Sequence, residues 1–84
     1  MTRYRRLPMI VEAIQFDRTR PGYVKELHAF APGCDIGPAH VTLRDGQRAE
    51  QGWWIVRDGL GTFTTVRDMT FRAQYEVYLD EEAT

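Results

Sequence analysis

An α+β fold is predicted by three features of the 84-residue sequence. Short segments rich in β-branched and aromatic residues recur, one segment has helical apolar spacing, and Gly-containing turns separate most of the predicted strands. The order is one strand, one helix, four short strands, a helical turn and a closing strand, which is typical of α+β proteins. We expect one helix packed on a small, strongly bent, mostly antiparallel sheet, or the same elements in a partly open barrel.

Length and composition favour one domain over residues 1–84, with flexible ends at about 1–7 and 80–84. The net charge of −1 gives no general attraction to nucleic acid or to membranes. Cys34 is the sole cysteine, which excludes an internal disulfide and fits a reducing cytoplasm. No segment reaches the length of a membrane span.

The first half contains a predicted strand at 9–16 and a predicted helix at 21–31. Both faces of the strand are mostly apolar, so we expect it to be well covered. Pro21 suits the first helical turn, and Pro32-Gly33 is a stop signal. The predicted apolar stripe of the helix consists of Tyr23, Val24, Leu27, Phe30 and Ala31.

The second half reads as hairpins followed by a short helix. We expect strands at 41–44 and 47–50 around a two-residue Asp45-Gly46 turn, and strands at 53–57 and 62–66 around a Gly-rich reversal. Asp68 is the predicted cap of a helix at 69–73, with Met69, Arg72 and Ala73 on one side and Phe71 off that side. A closing strand is predicted at 75–79.

Two adjacent tryptophans are the most informative residues. Neighbouring residues of a strand point to opposite faces, so Trp53 and Trp54 cannot both fill the same core. We therefore expect one ring to be buried and the other to lie on the opposite face, at a contact surface.

Two sequence segments resemble a family of small proteins encoded by bacteriophages and prophages. One runs from Tyr4-Arg5-Arg6 to Val11-Glu12-Ala13-Ile14-Gln15-Phe16, and the other combines Gly52-x-Trp54-Ile55 with Gly59-x-Gly61-x-Phe63 and Phe71-x-x-x-Tyr75. The resemblance covers almost the whole chain and implies no catalytic residues, because the family has no assigned activity.

The chain departs from the family pattern at Trp53, where the family usually has Asp. On that alignment Trp54 takes the core position and Trp53 the exposed position beside the turn. The resulting hypothesis is a non-enzymatic phage accessory protein that acts as a protein-interaction module. Trp53 lies at its centre, and Arg57 and Tyr78 are the predicted rim contacts. Self-association as a homodimer is one form of it.

Three alternatives stay open. Trp53 could instead pack beneath the N-terminal arm. Arg57, Arg67 and Arg72 with nearby aromatic rings could bind single-stranded nucleic acid. Glu12 lies among apolar neighbours, so it is either bonded to an arginine or to backbone N–H groups, or it faces a ligand in a cleft.

Other chemistry is not predicted. The chain has no serine. His28, Cys34 and His40 have no recognised metal-ligand spacing, although the loop after the helix could bring them together. We expect no metal, no cofactor and no catalytic residue.

Overall fold

The computed structural model describes the backbone of residues 3–6 and 9–77 and the side chains of residues 10–75. This part of the chain contains two helices and eight short strands, which confirms the α+β class. The elements are β1 (Arg3–Arg6), β2 (Met9–Gln15), α1 (Tyr23–Phe30), β3 (Asp35–Ile36), β4 (His40–Thr42), β5 (Arg48–Glu50), β6 (Trp54–Arg57), β7 (Phe63–Val66), α2 (Asp68–Gln74) and β8 (Glu76–Val77).

The strands form two antiparallel sheets. The larger has the order β7-β6-β2-β1-β8 and the smaller the order β3-β4-β5, and neither closes into a barrel within the described residues. The predicted run of four strands is therefore divided: β4 and β5 belong to the small sheet, and β6 and β7 to the large one. The chain changes sheet at Gln51-Gly52, where the Trp53 N–H donates to the Glu50 carbonyl.

The β4–β5 and β6–β7 hairpin loops each contain three residues and are closed by the same pattern of backbone hydrogen bonds. In the β4–β5 loop the Gly46 N–H donates to the Leu43 carbonyl and the Leu43 N–H to the Gln47 carbonyl. Gly46 has a φ of 96°, whereas no non-glycine residue has a positive φ in the described part of the chain. The prediction of a two-residue turn with positive φ at both Asp45 and Gly46 is therefore wrong. A three-residue loop needs only its last residue in the left-handed region.

The main core lies where α1, the large sheet and the small sheet meet. Leu27 and Phe30 are the buried residues of α1, whereas Val24 of the predicted stripe is 43% exposed. The observed helix has eight residues, fewer than the predicted range 21–31, and only one side of it contacts the core. Fewer residues of the apolar stripe are therefore buried than the sequence predicted. The cluster contains Ile14, Phe16, Leu27, Phe30, Ala31, Cys34, Val41, Leu43, Ala49 and Ile55.

A second, smaller cluster lies under α2 and consists of Val11, Ala13, Val56 and Phe71. Phe71 is the buried residue of α2, whereas Met69, Arg72 and Ala73 are exposed, so the helix packs on the side that carries Phe71. The predicted cap is wrong, because Arg67 occupies the N-cap position and Asp68 lies in the first turn. The Asp68 carboxylate instead accepts a hydrogen bond from the Trp54 indole.

Candidate contact surface

The two adjacent tryptophans lie against different clusters, which confirms that they serve opposite faces of the large sheet. Trp53 packs against the main core and Trp54 against the smaller cluster under α2. Both side chains are half-buried, so Trp53 is less exposed and Trp54 less buried than the sequence suggested. Each ring covers the edge of a core that is too small to enclose an indole completely.

Trp54 has a structural role that its contacts explain. Its indole N–H donates to Asp68 Oδ1 at 2.8 Å, and its ring stacks on Phe71 with centroids 4.0 Å apart and planes 7° from parallel. Phe71 in turn stacks on Tyr75 at 4.7 Å. The Trp54 indole and the Arg72 side chain, both hydrogen-bonded to Asp68, lower the pKa of that carboxyl. Trp54 therefore connects β6 to α2.

Trp53 has an open polar end. The Arg67 guanidinium carbon lies 5.4 Å from the centroid of its ring, within the range of a cation–π contact. Its indole N–H has no hydrogen-bond partner among the described residues. In that part of the chain, Arg20 Nε is the one buried side-chain nitrogen or oxygen without a partner, so the Trp53 N–H reaches solvent. Trp53 and Arg67 together form what we call the Trp53–Arg67 surface.

Arg57 is brought together with Glu12, although the two residues are 45 positions apart. They are opposite each other on β6 and β2, and Arg57 Nη2 donates to Glu12 Oε1. Arg57 Nη1 donates to the Phe30 carbonyl at 3.0 Å, and its guanidinium lies 4.4 Å from the centroid of the Phe30 ring. These contacts bind the partly exposed Arg57 guanidinium to groups of the same molecule. Glu12 is thus paired with an arginine, as one of the alternatives predicted. Arg57 is a poor candidate for a rim contact, because its guanidinium is already bonded within the molecule.

A cleft of about 430 Å³ lies away from Glu12. It is lined by the β4–β5 loop, by the start of β7 with the residues just before it, and by the residues that follow α1. The lining residues are Ala31, Pro32, Leu43, Arg44, Asp45, Gly61, Thr62 and Phe63. Tyr78, the remaining predicted contact residue, lies outside the described residues.

The structure brings Cys34 and His28 together, with Cys34 Sγ 3.8 Å from His28 Nδ1. His40 lies apart on β4. The residues described in the structure contain no group of three or more His, Cys, Asp or Glu side chains that could hold a metal ion. Burial raises the pKa of the Cys34 thiol, which disfavours the nucleophilic thiolate.

Sequence reasoning considered Arg67 only as a nucleic-acid contact and did not assign it to the Trp53 surface, and it missed the exposed Leu60 beside the cleft. Arg67 is adjacent to the ring only because β6 and β7 are paired, with Trp54 opposite Val66. The sequence Asp58-Gly59-Leu60-Gly61 could have predicted that Leu60 is exposed, because a leucine between two glycines of a surface turn is not positioned to pack in the core.

No protein-family model, curated protein sequence or solved structure matches the chain. Neither helix of the described part has the length and apolar character that a membrane crossing requires.

Proposed function

We propose that the chain is a non-enzymatic accessory protein of phage or prophage origin, which acts in the host cytoplasm as a protein-interaction module. The observation that carries the proposal is the Trp53–Arg67 surface. An indole with an open N–H lies there beside a guanidinium that has no carboxylate partner among the described residues. Trp and Arg are the residue types most enriched among the energetically dominant contacts of protein interfaces.

The chemistry of this surface indicates the partner it suits. The Trp53 N–H and the Arg67 guanidinium are both donors, so the matching segment presents carboxylate or carbonyl oxygens next to an apolar side chain. Arg67 takes the rim position that the sequence assigned to Arg57. The phage origin is supported by the sequence resemblance alone.

Nucleic-acid binding is the second candidate and has weaker support. Of the three arginines proposed for it, Arg57 is paired with Glu12 and Arg72 with Asp68. Each pairing reduces the positive field that phosphate binding requires. Of these three arginines, only Arg67 has no carboxylate partner among the described residues.

Affinity purification of the tagged protein from its host cell tests the proposal, with bound protein and nucleic acid both measured. The test variants are Trp53→Phe, which keeps an apolar ring and removes the N–H, and Arg67→Ala. Arg48→Ala on β5 is the matched control, since Arg48 is also exposed.

We expect each test variant to lower the affinity for the captured protein by about 30-fold, the effect of losing a contact worth 2 kcal/mol. The control should retain wild-type capture. A partner held equally by wild type and by a Trp53→Phe/Arg67→Ala double variant would contradict the proposal. Nucleic acid as the main bound component would favour the second candidate.

A further inference from the structure

The cleft described above lies between the two hairpin loops, and the Gln47 side chain links the β4–β5 hairpin to β7. Gln47 Nε2 donates to the Phe63 carbonyl at 2.7 Å, and Gln47 Oε1 accepts from the Thr65 N–H at 3.1 Å. The β4–β5 hairpin is thereby fixed against β7. The cleft is a built feature of the fold with a floor of buried Ala31 and Leu43.

Leu60 projects from the β6–β7 loop beside this cleft and is 92% exposed. A single exposed leucine is ordinary, but the backbone that carries this one is fixed by hydrogen bonds. Asp58 Oδ1 accepts hydrogen bonds from the N–H groups of Leu60 and Thr62, both at 2.9 Å. The Gly61 N–H also donates to the Asp58 carbonyl, and the Asp58 N–H to the Thr62 carbonyl. The loop therefore presents its apolar side chain in a preorganised position.

The rim of the cleft carries one charge of each sign on adjacent residues, Arg44 and Asp45, and both are exposed. Asp45 accepts hydrogen bonds from the side chain and backbone of Gln47, which lower the pKa of its carboxyl and keep it ionised at neutral pH. A surface with this pair can meet its own copy with opposite charges facing each other.

We propose that this face binds a second copy of the same chain in a two-fold arrangement, with Leu60 of each copy in the cleft of the other. Gly61, the neighbour of Leu60, lines the cleft, so the projecting side chain and the cavity lie on one patch. A two-fold interface requires such a self-complementary patch. In this arrangement Arg44 of each copy faces Asp45 of the other, which gives two equivalent charge pairs. The net charge of −1 adds little repulsion between copies.

This inference goes beyond the proposed function and does not depend on it. Trp53 precedes β6, whereas Leu60 follows the far end of that strand. Four residues of strand separate the two surfaces by roughly 13 Å. A dimer formed through Leu60 leaves the Trp53–Arg67 surface available for a different protein.

Sedimentation analysis of the full chain between about 10 µM and 1 mM, where weak specific complexes dissociate, tests the dimer. Leu60→Asp is the test variant. Met69→Asp is the matched control, because Met69 is a comparably exposed apolar residue (84%) on α2. Circular dichroism verifies that each variant is folded.

Two leucines enter each dimer, so we expect Leu60→Asp to raise the dissociation constant by at least about 100-fold. Met69→Asp and Trp53→Phe should retain the wild-type value.

A second measurement locates the contact. In a mixture of isotope-labelled and unlabelled protein, we expect intermolecular nuclear Overhauser effects between the Leu60 methyl groups and the Phe63 ring. A wild-type protein that is monomeric throughout the concentration range would overturn the proposal. A dimer that survives Leu60→Asp, or growth into open oligomers instead of a closed dimer, would overturn it as well.

Discussion

Replacing Phe71 by alanine tests how α2 is attached to the sheet. Phe71 is the buried residue of this helix, at 3% exposure, and it stacks between Trp54 and Tyr75. Phe→Ala in a core costs about 3–5 kcal/mol. An 84-residue domain has a free energy of unfolding of roughly 4–13 kcal/mol, so the substitution removes a large part of it.

Two further variants separate the causes of that loss. Phe71→Leu keeps most of the apolar volume and removes both ring stacks, so its expected cost is about 1–3 kcal/mol. Met69→Ala on the exposed side of α2 should stay within about 0.5 kcal/mol of wild type. The assay is urea denaturation followed by far-ultraviolet circular dichroism. A Phe71→Ala cost below about 1 kcal/mol would refute the packing of α2 through this residue.

Three other predictions concern the charged and polar contacts. Glu12→Gln should lower the free energy of unfolding by about 1 kcal/mol in urea denaturation, because it weakens the half-exposed pair with Arg57; an unchanged value would mean that the pair is broken in solution. The Trp54 hydrogen bond lowers the pKa of Asp68, so the ionised carboxylate stabilises the fold above the ordinary value of 3.8 and this stabilisation is lost as the pH falls through the lower folded-state pKa. The melting-temperature difference between wild type and Asp68→Asn should thus be full at pH 6 and shrink below about pH 4, and a difference that grows on acidification would contradict this sign. Iodoacetamide should modify Cys34 at pH 8 far more slowly in the native protein than in urea, since the thiol is buried with a raised pKa; equal rates would show that it is accessible.

Local patterns in the sequence were sufficient for β2, α1 and both hairpins. They could not predict β1 or β3, because these strands are defined by the partners they pair with rather than by alternation of their own. β1 lies in the segment 1–7 that was expected to be a flexible end, and the structure pairs it with β2 and β8.

Contacts between distant residues account for the remaining differences. The helical spacing separated Phe71 from Met69, Arg72 and Ala73, but seven residues contain too few turns to determine which of the two sides packs. The Glu12–Arg57 pair depends on the register of β2 against β6, which no local pattern fixes. Opposite placement of Trp53 and Trp54 was predictable because it follows from the backbone alone.

The central claim is that the two tryptophans have different roles. Trp54 attaches α2 to the sheet, and Trp53 has an indole N–H that is available to a partner. Exchange of the two indole N–H protons with solvent, followed by nuclear magnetic resonance on protein labelled with ¹⁵N-tryptophan, tests it most directly. We expect the Trp54 proton to exchange slowly and to lose its protection in Asp68→Ala, and the Trp53 proton to exchange rapidly in both proteins. Strong protection of the Trp53 proton in the isolated chain, or rapid exchange at Trp54, would contradict the division.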